Sequence, residues 1–322
     1  MMPTVTCIGE AIVDFVSTKS GYSLREAPVF KKAVGGAPAN VAVGLARLGT
    51  RVSFVGKVGD DPFGRFLEEE LRSSGVDTAG MRFDRRHRTR LAFVSLGEKG
   101  ERDFSFWERA PADEQLRTDD IRLRRVAASR IVHISSFLLL SSATRSVALR
   151  LAALLCRQGC LISFDPNVRL SLWRSPDEAR KVLTTMVRCA HILRLNLEEA
   201  RFLSGAREPH KAADALRRLG PELVVITDGA NGCVYFTPSE TGKVSGFRVR
   251  AVDTTGCGDA FLAGLLHGIA QRPERPGEIP GSVLREICRF SNAAGALTAL
   301  RRGAAAAMPG HSRVIRFLNR HT

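Results

Sequence analysis

Asp253-Thr254-Thr255-Gly256-Cys257-Gly258-Asp259-Ala260-Phe261 is the stretch on which the reading of this sequence turns. It follows a β-type run, Phe247 to Val252, and opens an apolar helical run to Ile269. Gly256 and Gly258 let the backbone turn tightly and aim consecutive N–H groups outward, which at a helix N-terminus makes a ready anion site. Asp259 falls in the first helical turn beside it. As a simple N-terminal cap it would contribute about 1 kcal/mol and need no other role. A carboxylate beside an anion hole is otherwise an odd arrangement, unless it takes a proton from an attacking group.

Outward from that stretch, short β-type runs alternate with helical ones, which predicts βα units and a largely parallel sheet. Strands are expected at Thr4 to Gly9, Arg51 to Gly56, Arg130 to Ile134, Cys160 to Phe164, His191 to Leu195 and Glu222 to Thr227. Helices are expected at Pro38 to Leu48, after the Asp61-Pro62 cap, and near Ala143 to Arg157, Pro176 to Arg188 and Lys211 to Leu219. Pro in a first turn and Gly49 or Gly75 past the end mark the first two. Two stretches break the alternation. Phe15 to Val34 has no helical period, and Leu91 to Leu96 with Arg102 to Trp107 alternates around Glu98-Lys99-Gly100-Glu101 as a hairpin would. Together they suggest a small sheet standing off the main one, able to cover a site as a lid. No internal repeat and no linker between independent domains is visible.

Composition narrows the class. The 322 residues are 44% hydrophobic and 25% charged, which excludes whole-chain disorder. The apolar stretch from Thr4 to Val16 is interrupted by Glu10 and Asp14, and no segment approaches the eighteen or so apolar residues of a spanning helix. The seven cysteines are odd in number and scattered, so they read as reduced thiols of a cytoplasmic protein rather than a disulfide or zinc framework. The net charge of +15 raises a nucleic-acid partner. The arginines are spread along the chain, however, and the denser groups, Arg85-Arg86-His87-Arg88 and Arg122 to Arg125, lack interleaved aromatics. A solvated, Arg-biased surface is the better reading, and small anionic substrates or phosphates would also suit the field.

Three further motifs have both a plain and a chemical reading. Gly35-Gly36-Ala37-Pro38-Ala39-Asn40 is a glycine turn into a helix, alone no more than a loop junction. Asn196 and Glu199, three apart after a strand, could organise a hydrated Mg²⁺ or form only a capping box. Thr227-Asp228-Gly229-Ala230-Asn231-Gly232 could touch a nucleotide phosphate or simply reverse the chain.

Together with the opening stretch, these motifs resemble the ribokinase/PfkB family of carbohydrate kinases over nearly the whole chain. Gly35-Gly36 resembles that family's N-terminal signature and Asp253 to Phe261 its C-terminal one. Gly9 to Phe15, Val55 to Gly64, Arg90 to Val94 and Asp165-Pro166-Asn167-Val168-Arg169 look most like fructokinases. The resemblance implies one doubly wound α/β domain spanning 1–322, a mostly parallel sheet with flanking helices, and a small β-sheet lid at about 15–34 and 89–109. It implies an ATP-dependent sugar kinase, with fructose 6-phosphate as product.

By the same resemblance, Asp14, Gly35, Gly36 and Asn40 would bind sugar hydroxyls, with Asn167 and Arg169 near the sugar or the transferring phosphate. Asp259 would be the general base, and the backbone of Gly256, Cys257 and Gly258 the anion hole. Thr227, Gly229, Gly232 and Asn292 are the nucleotide-side candidates. Asn196 and Glu199 would organise Mg²⁺ through water, and Asp253 and Thr255 match the position of a monovalent cation such as K⁺. Lids of this family can pair into homodimers.

Some positions depart from the pattern. Cys257 stands where the family usually has Ala, the aromatic-Arg pair of the lid is here Trp107-Glu108 with Arg109 one place later, and Ser135-Ser136 falls where relatives tend to have Gly. Arg301-Arg302-Gly303-Ala304 onward is unusually Ala-rich. Rival readings are a 2-keto-3-deoxygluconate kinase, another sugar or nucleoside kinase of the same type, and a catalytically silent scaffold associated with nucleic acid.

Overall fold

The computed structural model describes residues 2–19, 21–96, 102–107 and 109–321. The expected hairpin turn Glu98-Lys99-Gly100-Glu101 and the lid residue Glu108 lie outside the described residues. The strands are β1 (Val5–Ile8), β2 (Ile12–Ser17), β3 (Phe30–Gly35), β4 (Val52–Gly59), β5 (Asp77–Asp84), β6 (Leu91–Leu96), β7 (Arg102–Phe106), β8 (Ile131–Ser135), β9 (Leu161–Asp165), β10 (Ile192–Asn196), β11 (Leu223–Thr227), β12 (Cys233–Phe236) and β13 (Thr241–Val244). The helices are α1 (Ala37–Arg47), α2 (Pro62–Ser73), α3 (Leu123–Val126), α4 (Ser142–Arg157), α5 (Pro176–Val187), α6 (Leu197–Ser204), α7 (Pro209–Arg217), α8 (Cys257–Ala270), α9 (Gly281–Ala299), α10 (Ala304–Ala307) and α11 (His311–Asn319).

Nine strands form one sheet in the order β13-β12-β11-β10-β9-β8-β1-β4-β5. From β11 to β5 every pairing is parallel, and the β12–β13 hairpin closes one edge antiparallel. The parallel strands are apolar on both faces because helices cover both sides, and β1, β8, β9 and β11 are buried at every residue. One core packs α1, α2, α8 and α9 on one face, and a second packs α4 to α7 on the other. The doubly wound architecture agrees with the sequence expectation.

The two stretches that broke the alternation form a separate four-stranded sheet in the order β3-β2-β6-β7. β2 and β6 pair in parallel at its centre, with an antiparallel neighbour on each side. One face carries Asp14; the other stacks Phe15 on Phe93 at 5.1 Å between ring centroids, with Phe30 and Trp107 against Phe93. Its base is anchored by Arg90, buried and ion-paired to Asp113 at 3.0 Å and to Glu114 at 2.5 Å.

Two local expectations differ. Phe247 to Val252 is not a strand: β13 ends at Val244 and the segment runs on without a ladder partner. Phe247, Val249 and Ala251 line a cavity described below instead of facing a neighbouring strand, and Val252 is exposed. β5 was not foreseen, because its sequence DTAGMRFD has no clean alternation on a half-buried edge. Among the described residues no helix is long and apolar enough to cross a membrane.

Candidate active site

The cleft opens at the carboxyl ends of the parallel strands, where an open α/β sheet gathers its ligands. Two glycine-opened helices enter it. At α1, Gly36 takes φ 95, and a Cβ there would lie 2.5 Å from the Glu10 carbonyl oxygen, so only glycine fits. Glu10, buried at 2% exposure, accepts from the Ala37 N–H at 3.0 Å and from the Ser135 hydroxyl at 2.5 Å. Burial pushes its carboxyl up to about 7. Ser135, at the departure from the family pattern, therefore props the glycine turn through Glu10.

At α8, Gly256 takes the left-handed φ 76, and Asp259 lies in the first turn. Its Oδ2 accepts from Asn40 Nδ2 at 2.8 Å, which joins the two helix starts. Burial pushes Asp259 up to about 6; the Asn40 hydrogen bond opposes this, the Asp165 charge adds to it, and Arg194 and Arg169 oppose it. Among the described residues no acceptor takes the N–H groups of Gly256 and Gly258, whereas Cys257 N–H turns back to the Thr254 carbonyl at 3.3 Å. The open donors of the expected anion hole are thus the two glycines.

Asp14 reaches the cleft from β2. Its Oδ1 is buried without a hydrogen-bond partner, as is Asn40 Oδ1. Burial pushes Asp14 up to about 7, with Arg169 opposing and Asp259 adding. Gly35 clears room for it, since a Cβ there would meet Asp14 Oδ2 at 2.3 Å. Asn167 holds φ 37 and gives its N–H to Asp165 Oδ1 at 3.1 Å. Arg169 lies exposed, its guanidinium 5.4 Å from the Phe104 ring centroid of the second sheet. Arg109 is exposed.

Thr227, Gly229, Gly232, Asn292, Cys257 and Gly258 line one cavity of about 230 Å³, closed by Phe247, Phe261 and the small residues Gly295, Ala296 and Ala299. Asn292 also fixes the wall, donating to the Val244 and Ser245 carbonyls at 3.3 and 3.1 Å. Gly232, at φ 97, has no space for a Cβ, which would lie 2.1 Å from the Val244 carbonyl oxygen.

Asn196 and Glu199 form the reciprocal capping box at 2.8 Å in each direction, and the second Glu199 oxygen accepts from Val168 N–H at 2.8 Å. The plain reading of this motif is realised, and Glu199 ties the Asn167–Arg169 loop to α6. Among the described residues no group of three or more His, Cys, Asp or Glu is placed to hold a metal. Asp253 accepts from Thr255 N–H and hydroxyl at 2.9 and 2.6 Å and from Gly303 N–H at 3.0 Å, tying the glycine turn to the segment before α10.

One residue of the site was not singled out from the sequence. Arg194, central in β10, donates to Asp165 at 2.9 Å and to the Thr227 hydroxyl at 2.7 Å, and its guanidinium backs onto Gly258. An arginine inside the apolar run Ile-Leu-Arg-Leu-Asn was the available signal, because arginine is rarely buried unpaired.

The sequence profile of the pfkB family carbohydrate kinases matches residues 2–310. The chain belongs to that family. Among its carbohydrate-kinase relatives, Probable fructokinase-7 of Arabidopsis thaliana is 44% identical over 313 residues, covering 95% of this chain and 89% of the relative. The crystal structure of the Xylella fastidiosa fructokinase with bound ATP superposes with a TM-score of 0.90 at 32% identity, over 100% of this chain and 99% of that one. The Vibrio cholerae fructokinase, in its form with fructose, ADP and calcium ion, gives 0.88 at 34% identity over 98% and 99%. The fold and the kinase class expected from the sequence motifs are those of this family.

Proposed function

We propose that this carbohydrate kinase transfers the γ-phosphoryl group of ATP to fructose, giving fructose 6-phosphate and ADP. The observation that carries the reading is the meeting of Asp259, Asn40 and the open α8 N-terminus between an unpaired Asp14 oxygen and the cavity lined by Thr227 and Asn292. The names of the relatives in Arabidopsis, Xylella and Vibrio support fructose as the acceptor.

A sugar hydroxyl is a poor nucleophile until its proton has an acceptor. Asp259, ionised above about pH 6, would take that proton as the oxygen attacks the γ-phosphorus. Gly256 and Gly258 N–H would face the charge on the phosphoryl oxygens, with the Cys257 amide alongside. Arg194, locked by Asp165 and Thr227, adds a fixed positive charge on the phosphate side. Asp14, Gly35, Gly36 and Asn40 would hold the sugar, with Asn167 and Arg169 beside the transferring group. Thr227, Gly229, Gly232 and Asn292 would line the nucleotide site.

Mg²⁺ would neutralise phosphate charge, with Asn196 and Glu199 behind its water shell. K⁺ at Asp253 and Thr255 would steady the glycine turn. We read the second sheet as a lid over the sugar. Exposed Trp107, Val29 and Tyr22 in and beside it support homodimer pairing there. Seven cysteines without a disulfide support a cytoplasmic setting.

The test is ADP release from ATP and Mg²⁺ with fructose, 2-keto-3-deoxygluconate, ribose, glucose or adenosine, using Asp259→Asn as control. Turnover on fructose, falling by about 100- to 10,000-fold in the variant, is expected. Preference for 2-keto-3-deoxygluconate would move the substrate assignment, with Arg169 as the partner for its carboxylate.

A further inference from the structure

Several arginines that lie far apart in the sequence come together at one groove of the folded chain. Arg313 and Arg316 on α11, and Arg320 just past its end, fall three and four residues apart and so share one face of that helix. Arg301, just after α9, joins them to line a cavity of about 960 Å³ with a partly apolar floor. Among the described residues none of these four guanidinium groups reaches a carboxylate partner. Their crowding is felt: burial and then the charges of Arg301 and Arg316 hold Arg313 below the usual arginine range.

The wall of this groove is built. Arg47 donates to the carbonyls of Ala305, Ala306 and Met308 at 2.8, 3.2 and 2.9 Å, pinning α10 and the turn after it. The same segment faces the catalytic cleft on its other side: Gly303 N–H bonds Asp253, and Ala304 packs where a Cβ on Gly256 would lie 2.7 Å from its own. The groove and the cleft are therefore separate cavities sharing one wall. Guanidinium forks match phosphate oxygens in pairs, and a concave cluster of one sign focuses the field on an incoming anion. The volume suits a compact ligand of nucleotide size.

We propose that this groove is a second anion site, which takes a compact, multiply charged phosphate chain. The chain could come from a free polyphosphate or from the phosphate tail of a nucleotide. The experiment is calorimetric titration of the whole protein with inorganic tripolyphosphate while excess ADP and Mg²⁺ occupy the nucleotide cavity. The comparison is the double variant Arg313→Gln, Arg316→Gln, checked for an unchanged melting temperature and unchanged turnover. One tripolyphosphate per chain is expected, bound at least tenfold more weakly by the variant. In a parallel titration, two ATP per wild-type chain against one per variant chain would identify the nucleotide tail as the source. One ATP in both, with tripolyphosphate still bound, would identify the free chain. No binding beyond ADP, or equal affinity in the variant, overturns the proposal. So does tighter binding of a 20-mer single-stranded oligonucleotide than of tripolyphosphate, because it would make the groove part of a polymer track.

Discussion

The two glycine-opened helices that meet in the cleft are finished differently. At α1 the protein supplies its own acceptor: Glu10 answers the Ala37 N–H, and Gly36 is there because the Glu10 backbone passes too close for a side chain. At α8 the Gly256 and Gly258 N–H groups have no acceptor among the described residues, and a raised carboxyl stands next to them. Elsewhere α2, α4, α5 and α6 begin on Asp61, Ser141, Ser175 and Asn196, whose side chains cap them. A glycine opening at a helix start is thus not one device. It gives close packing at α1 and ligand-facing donors at α8, and the difference lies in what the rest of the chain brings to each end.

Exchanging the two glycines for alanine would break this contrast most sharply. Gly256→Ala places a methyl in left-handed backbone against Ala304, costing about 1–3 kcal/mol, and is expected to lower kcat with little change in the KM for sugar. Gly36→Ala is expected to raise the KM for sugar more than it lowers kcat, because it disturbs the turn behind Asn40. Steady-state kinetics with a melting curve on each variant decides it, and an identical kcat and KM pattern for both would erase the distinction.

A smaller effect concerns the two carboxyls. Asp259 raises Asp14, but Asp14, held near 7, is mostly protonated where Asp259 titrates near 6 and is not among the charges that shift it. In Asp14→Asn the acidic limb of kcat should therefore stay near pH 6, as in the parent. A limb that moves to lower pH would mean that Asp14 is ionised beside Asp259. The sign for stability is the reverse of the usual carboxylate case. A folded pKa raised above the unfolded one gives stability that is present at low pH and lost as pH rises through about 6 to 7.

The smallest effect belongs to an ordinary cap. Ser175→Ala should cost about 0.5–2 kcal/mol of stability at α5 and leave both kinetic constants alone. A fall in kcat would show that capped ends also matter to the reaction.

Much of this was legible in the sequence. The glycine motifs announced both helix starts, and the apolar runs announced β1, β8, β9, β10 and β11 to within a residue of each end, because strands buried on both faces cannot hide their composition, whereas β4 runs three residues further than expected and edge strand β5 stayed hidden. The features that stayed hidden depend on residues far apart in the chain. Arg194 finds Asp165 and Thr227 on neighbouring strands, and Glu10 finds Ser135 across the sheet. Phe247 to Val252 reads as a strand because alternation reports apolar contact and not a ladder partner. The arginine groove is invisible in a count of spacings, since α9 and α11 must pack before Arg301 meets Arg313.

The connection between the two sheets has a consequence for economy. The chain leaves β1 at Gly9 and within three residues joins the other sheet, so Asp14 belongs to a different sheet from the one that α8 and Asp259 pack against. The hand that would grip the sugar and the blade that would cut ATP are built on separate sheets. Were the second sheet to act as the proposed lid, its opening would take the Asp14 side of the sugar site away from the base. Under that reading, transfer from ATP would wait for a sugar that bridges the two sheets.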